Sequence, residues 1–151
     1  MRRFNLIKTV KPKNKTYVCF DGVPPYAKMN QQRQRRFKGS LTNKILNKEP
    51  SSWNRNQITP GSLFMNDLDS YLINKFSKEP KIVFSPSSEP GEGEHKLFEY
   101  LRKNKNTEDN IALYGLDSDL IMLSICHLTY CNNIYIFREA PEFIKSSFIR
   151  P

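Results

Sequence analysis

The chain has 151 residues, of which 38% are apolar, 26% charged and 12% aromatic, and its formal net charge at pH 7 is +9. This size and composition suit a folded domain with a core. The longest apolar run, near 120–126, is shorter than the roughly 20 residues of a membrane helix. Lysines soon follow Arg2 and Arg3 and break up any hydrophobic stretch that a secretory signal would need. Three cysteines, Cys19, Cys126 and Cys131, match neither an even disulfide set nor a zinc pattern. Composition therefore excludes membrane proteins, disulfide scaffolds and zinc fingers, and it predicts an intracellular protein.

Charge is distributed unevenly along the chain. Residues 1–50 hold 13 lysines and arginines against two acids, whereas residues 51–151 hold 11 bases against 13 acids. A basic half predicts a polyanionic partner, and clustered carboxylates in the other half predict a metal or acid–base site. A solvated basic face explains the same charge pattern equally well.

Four short, mostly apolar runs without polar alternation predict strands that are covered on both faces. In chain order the predicted strands span residues 17–21, 81–85, 111–116 and 134–138. Helical patterns span residues 28–38, 62–78 and 92–103, and a short helix begins at Ser118 or Asp119. This alternation predicts a three-layer α/β domain with a mainly parallel sheet over residues 1–151, and residues 39–57 are predicted to form a surface loop.

Acidic residues end or follow three of the predicted strands. They are Asp21, Glu92, Glu94, Asp117 and Asp119. Ligands of a parallel α/β sheet bind outside the carboxyl ends of its strands, so we expect these acids to converge there. Carboxylate oxygens suit Mg²⁺ or Mn²⁺, and two such ions can activate a water and stabilise the leaving oxygen of a phosphodiester.

Each acid taken alone also has a purely structural explanation. Carboxylates near helix N-termini stabilise helices by capping and by the helix dipole. The coincidence of three acid-bearing strand ends favours the metal site. His95 lies among these acids and could serve as a base, but a packing or helix-cap role is the stronger prediction. His127 lies in no comparable setting.

The helix predicted over residues 28–38 has one cationic face. Lys28, Gln32, Arg35 and Arg36 fall within an arc of roughly 100°, because successive helical residues are separated by about 100°. Guanidinium and ammonium groups suit a terminal phosphate, although a solvated helix surface is the simpler explanation. Met29 and Phe37 lie to one side and are expected to pack inward.

Four segments of this chain resemble, in order, the conserved blocks of the 5′→3′ exoribonuclease (Xrn) family. They are DGVPPYAKMNQQRQRRF at 21–37, ITPG at 58–61, PGEGEHK at 90–96 and YGLDSDLIML at 114–123. The resemblance spans nearly the whole chain. It departs from the family at Tyr26, where an arginine is usual, and in the shorter segment 39–57.

The resemblance implies a nuclease domain of the PIN-like, flap-endonuclease-like type. It implies 5′→3′ hydrolysis of single-stranded RNA with a 5′-monophosphate by a two-metal-ion mechanism. The implied ligands of two Mg²⁺ or Mn²⁺ ions, also the implied catalytic residues, are Asp21, Glu92, Glu94, Asp117 and Asp119. Lys28, Gln32, Arg35 and Arg36 match the family's 5′-monophosphate pocket.

The resemblance also predicts that the chain is a central part of the family's catalytic domain, with a metal-binding aspartate expected before it and another after it. The implied partners are the RNA and the remainder of a split or longer exoribonuclease, in the nucleus or the cytoplasm. An alternative function is a non-catalytic module that grips RNA 5′-phosphates, since the activity of such a partial domain alone is doubtful. Intact carboxylates favour the enzyme, because a pure binder gains nothing from acids that repel its ligand.

Overall fold

The computed structural model describes residues 6–46, 53–115 and 117–138. The helices are α1 (Leu6–Val10), α2 (Tyr26–Ile45), α3 (Leu63–Phe76), α4 (Gly93–Lys103) and α5 (Asp119–Cys126). The strands are β1 (Thr16–Cys19), β2 (Ile82–Ser85), β3 (Asn110–Tyr114) and β4 (Asn133–Phe137). Short 3₁₀ helices span Arg55–Gln57 and Leu128–Tyr130. Within the described ranges, every helix is too short or too polar to cross a bilayer.

The chain divides into two compact units. Of the residues that the structure describes, those within 12–97 form the amino-terminal unit, and those within 6–11 and 98–138 form the carboxy-terminal unit. Each contains one pair of parallel strands, β1 with β2 and β3 with β4 respectively. Parallel neighbours need a crossover connection, which the helices between the paired strands provide. The predicted α/β class and the parallel pairing are confirmed, whereas the three-layer arrangement over a single domain stays a prediction.

In the amino-terminal unit, helix α3 is well delimited and packs beside β2. Ser62 caps the helix by accepting a hydrogen bond from the Met65 N–H at 3.2 Å. Near its end, the ring of Phe76 lies edge-on to Phe84 of β2. The buried carboxylate of Asp69 accepts hydrogen bonds from the backbone N–H and the hydroxyl of Ser87. Helix α3 thereby holds the start of the segment that leads from β2 to α4.

The carboxy-terminal unit has its own apolar core. Phe98, Leu113 and Leu120 are buried in it and come from α4, β3 and α5. The buried His127 ring lies against Phe98, and one of its nitrogens is 2.8 Å from the Arg102 guanidinium. Helix α4 therefore belongs to both units, with its first residues in one and its apolar face from Phe98 onward in the other.

Several expectations for local structure were wrong. Helix α2 continues through Ile45, so residues 39–45 are helical rather than a loop, although they are exposed as predicted. The single Gly39 costs only about 1 kcal/mol against alanine, which a long helix tolerates. Phe37 is 70% exposed instead of packing inward. Residues 47–52 of the predicted loop lie outside the described residues.

Strands β3 and β4 also differ from the expectation of burial on both faces. Tyr114, Tyr135 and Phe137 are each about 40% exposed or more, and they alternate with less exposed residues. Within the described residues, these two strands therefore show the half-buried pattern of a strand covered mainly on one face. An apolar sequence run alone does not reveal how many layers cover a strand.

Candidate metal and phosphate-binding site

The segment that follows β1 lies directly against the segment between β2 and α4. The Gly22 N–H donates to the Gly91 carbonyl at 2.8 Å, and the Gly91 N–H donates to the Val23 carbonyl at 3.0 Å. A Cβ on Gly22 would lie 1.7 Å from the Glu89 carbonyl oxygen, so only glycine fits this approach. Gly91 has a φ of 103°, which favours glycine as well. These contacts bring Asp21 next to the first residue of α4.

Asp21 contacts the first residue of helix α4. Its Oδ1 accepts a hydrogen bond from the Gly93 backbone N–H, with a donor–acceptor distance of 2.6 Å. The first N–H groups of a helix have no partner within the helix, so this carboxylate serves as a cap. One oxygen of an otherwise exposed carboxylate is thereby oriented by the helix end.

Three side chains at the start of α4 offer ligand atoms to a metal ion. One atom each of Glu92, Glu94 and His95 lies within 4.8 Å of the others. Both glutamates are partly buried and His95 is exposed. Of the packing or helix-cap role expected for His95, packing was therefore wrong, and the helix-cap role stays a prediction. Two carboxylates with an imidazole suit a divalent cation such as Mn²⁺ or Mg²⁺. The donor chemistry thus fits the implied metal, and Asp21 reaches the start of the same helix through its hydrogen bond with the Gly93 N–H.

The ammonium of Lys28 contacts the acid cluster. Its Nζ lies 3.4 Å from Oε2 of Glu92, and the glutamate side chain is only 18% exposed. Lys28 belongs to the first turn of α2, and Gln32, Arg35 and Arg36 follow it on the same continuous helix. Arg35 and Arg36 are exposed. The predicted cationic face therefore exists on α2, and its first member lies beside the carboxylates.

Asp117 and Asp119 lie in the carboxy-terminal unit, between β3 and α5. Asp119 is the first residue of α5, and its backbone N–H donates to Oδ1 of Asp117 at 3.3 Å. Both side chains are exposed. The acids therefore follow the strand end as the sequence predicts, with negative charge at the favourable end of the helix dipole.

Lys96 is a residue of the site that sequence analysis missed. Its side chain is buried, with 6% exposed, and its Nζ donates to the Phe20 carbonyl at 3.0 Å and to the Pro86 carbonyl at 2.8 Å. The available signal was its place as the last residue of the PGEGEHK block. A lysine among polar residues is normally expected on the surface, so residue type alone does not predict that Lys96 is buried.

Cys19, the last residue of β1, contacts the first residue of helix α4. Its Sγ donates to the Gly93 carbonyl at 3.1 Å. Burial raises the pKa of the Cys19 thiol to about 11, the Lys96 ammonium acts to lower it, and the Asp21 carboxylate acts to raise it. The thiol therefore stays protonated and acts as a small packing group.

The described fold and site define an α/β protein with carboxylates at the ends of parallel strands and a cationic helix beside them. A profile of the family described as XRN 5'-3' exonuclease N-terminus matches residues 3–140. Because this match covers most of the chain, the protein belongs to that family.

Similar proteins carry the corresponding names. The chain is 33% identical over 94% of its length to 5'-3' exoribonuclease 2 of Schizosaccharomyces pombe. It is 37% identical over 92% of its length to 5'-3' exoribonuclease 1 of Saccharomyces cerevisiae, and 35% identical over 91% to 5'-3' exoribonuclease 2 of Arabidopsis thaliana. It spans 18%, 10% and 17% of those proteins, respectively. No solved structure matches the chain significantly.

Proposed function

We propose that this chain carries the phosphodiester-cleaving chemistry of a 5′→3′ exoribonuclease that acts on single-stranded RNA with a 5′-monophosphate. The ion pair between Lys28 and Glu92 supports this most directly, because it joins a phosphate-gripping helix to an acidic cluster. Family membership supports the same reaction class. The proposal includes a PIN-like nuclease fold, with which the parallel strand pairs are compatible.

The proposed metal ligands are the five acids of the sequence blocks. They are Asp21, Glu92, Glu94, Asp117 and Asp119. When bound, two Mg²⁺ or Mn²⁺ ions would activate a water and stabilise the leaving oxygen. The donor set of Glu92, Glu94 and His95 supports a cation in the amino-terminal unit. Asp117 and Asp119 enter the proposal through their sequence block.

The cationic face of α2 is proposed to hold the 5′-phosphate. Exposed guanidinium groups on Arg35 and Arg36 can donate paired hydrogen bonds to phosphate oxygens, and Gln32 adds an amide. The Lys28 side chain is 42% exposed, and ion pairs with solvent access are weak. Lys28 can therefore exchange Glu92 for the phosphate when RNA binds.

A time course on labelled single-stranded RNA tests this proposal. The reactions compare 5′-monophosphate with 5′-hydroxyl RNA, Mn²⁺ with excess EDTA, and the parent chain with Asp119→Asn. Mononucleotide release that requires the 5′-phosphate, the metal and Asp119 supports the enzyme. Equal cleavage by Asp119→Asn would refute the metal assignment. Circular dichroism on every sample establishes that each chain is folded.

The alternative is a non-catalytic module that grips RNA 5′-phosphates, and the exposure of Arg35 and Arg36 favours it equally. Cation–phosphate contacts need no metal. A folded chain that prefers 5′-phosphorylated RNA in binding, with and without EDTA, but releases no nucleotide would support this alternative. RNA binding without any preference for the 5′-phosphate would contradict both functions.

A further inference from the structure

A buried ammonium group lies immediately behind the acidic cluster. Lys96 is in the first turns of α4, next in sequence to His95, and its Nζ donates to the main-chain carbonyls of Phe20 and Pro86. Phe20 directly precedes Asp21, whereas Pro86 directly follows β2. One side chain thus connects the end of β1, the end of β2 and the helix that carries Glu94.

This position is unfavourable for a lysine unless hydrogen bonds offset the free-energy cost of burying its charge. Burial penalises a charged group, and a cation near a helix N-terminus opposes the helix dipole. Lysine is rarely buried without partners. Two carbonyl oxygens supply them here, at 3.0 and 2.8 Å. The arrangement therefore depends on the tertiary contacts of Lys96 and not on helix propensity.

The other contacts around Lys96 all join the same two segments. The Gly93 N–H donates to Asp21, the Cys19 thiol donates to the Gly93 carbonyl, and Gly22 pairs with Gly91. A Cβ on Gly91 would lie 3.8 Å from Cγ of Lys96, so the lysine stem also lies along this glycine turn. Lys96 is the buried charged side chain among these contacts, and one of them, from the Gly93 N–H, orients the proposed ligand Asp21.

We propose that Lys96 is a positioning residue that sets the distance between the Asp21 carboxylate and the Glu92–Glu94 pair. This inference rests on the proposed function, in which those acids bind the metal. Lys96 acts through the backbone, because its hydrogen bond to the Phe20 carbonyl holds the residue before Asp21 against helix α4. Outer-shell contacts of this kind commonly change metal affinity by about 10–100-fold when removed.

Positioning and simple electrostatics predict opposite results for the loss of Lys96. A cation near carboxylates repels an incoming metal ion, so its removal alone would raise metal affinity. Loss of positioning separates Asp21 from the glutamates and lowers the affinity. The sign of the change therefore distinguishes the two roles.

The test is a Mn²⁺ titration of the full chain by isothermal calorimetry, with far-ultraviolet circular dichroism on each sample. Lys96→Met removes the ammonium while keeping the stem, and Lys96→Arg keeps the charge on a larger, planar group. Lys103→Met is the matched control, since Lys103 is an exposed lysine of the same helix paired with Glu99. We expect about 10–100-fold weaker binding for Lys96→Met, a smaller loss for Lys96→Arg and none for Lys103→Met.

Amide hydrogen exchange at Gly93 provides a readout that needs no metal. We expect at least about tenfold faster exchange in Lys96→Met because the Asp21 contact loosens, with the core amide of Leu113 unchanged. Mn²⁺ affinity equal to or above that of the parent, or unchanged exchange at Gly93, would overturn the proposal. If Lys96→Met loses its helical signal, Lys96→Arg is judged by the same two readouts.

These measurements also separate this inference from the proposed function. A parent chain that binds no Mn²⁺ contradicts the metal centre of the proposed function. Exchange at Gly93 then still decides whether Lys96 holds the two segments together. Mn²⁺ binding by the parent with no effect of Lys96→Met leaves the metal centre intact and overturns the role of Lys96.

Discussion

The Asp21 carboxylate and the Gly93 backbone N–H are joined by a 2.6 Å hydrogen bond between residues 72 positions apart. The same carboxylate is a proposed metal ligand and the cap of helix α4. The helix in turn carries Glu94 and His95 in its first turn, directly after Glu92. A single contact therefore connects the stability of this helix end to the geometry of the acidic cluster.

The cap predicts different stabilities for two substitutions of Asp21. Asp21→Ala removes the acceptor, so we expect it to lower the free energy of unfolding by about 1–2 kcal/mol. Asp21→Asn keeps an acceptor oxygen and should cost less, although both should weaken Mn²⁺ binding. Urea denaturation and a Mn²⁺ titration measure the two effects. Equal stability of the alanine and asparagine variants would show that the hydrogen bond does not act as a cap.

Alanine at Gly22 should lower the free energy of unfolding, whereas alanine at Gly39 should raise it. A Cβ at Gly22 would lie 1.7 Å from the Glu89 carbonyl oxygen, whereas a Cβ at Gly39 meets nothing within 4 Å. We expect Gly22→Ala to destabilise the fold by about 3 kcal/mol, since the backbone must shift. Gly39→Ala should stabilise α2 by about 0.5–1 kcal/mol. Urea denaturation of both variants tests this, and a neutral Gly22→Ala would argue against the close approach of the two segments.

Arg35 should contribute to the preference for 5′-phosphate over 5′-hydroxyl RNA. Arg33 serves as its matched control. Both are exposed residues of α2, but they point about 160° apart on the helix. We expect Arg35→Ala to reduce the preference for 5′-phosphate over 5′-hydroxyl RNA about tenfold, the effect of one charge-assisted hydrogen bond. Arg36→Ala should act in the same direction.

Arg33→Ala removes the same charge and should weaken binding of both RNAs alike. Fluorescence anisotropy with the two RNAs at fixed salt measures the ratio of affinities. An equal change of preference in the Arg33 and Arg35 variants would indicate a general electrostatic effect instead of a phosphate pocket.

Cys19 predicts a loss of stability at alkaline pH. Its pKa is raised from 9.0 to about 11 chiefly by burial, so the folded state keeps a proton that the unfolded state releases. The stabilisation that this difference in pKa contributes to the folded state is complete below pH 9 and is lost as the pH rises towards 11. Urea denaturation between pH 8 and 11 should show a steeper decline for the parent than for Cys19→Ala. Parallel curves would contradict the raised pKa.

The periodicity of the sequence was sufficient to predict the order and type of most elements. Helices α3 and α4 and all four strands lie within about two residues of their predicted bounds, and α5 begins at Asp119, one of the two starts predicted for it. These predictions succeed because apolar spacing and capping residues are local properties. The length of α2 was not predictable in the same way. Gly39, Ser40 and Asn43 are typical of loops, yet the helix continues through them.

The sequence by itself determined the chemistry of the candidate site. The acids after the strands and the spacing of Lys28 with Arg35 and Arg36 define which groups are available, since side-chain type and helical spacing follow directly from residue order. Family membership follows from the same residues.

Only the tertiary structure decided which of these groups touch. The contacts of Asp21 with Gly93, of Lys96 with Phe20 and of Lys28 with Glu92 join residues that are 64 to 76 positions apart. It also showed that β3 and β4 leave aromatic side chains exposed. Such features depend on which segments pack together, and packing is decided by the free energy of the whole fold, which no local pattern contains.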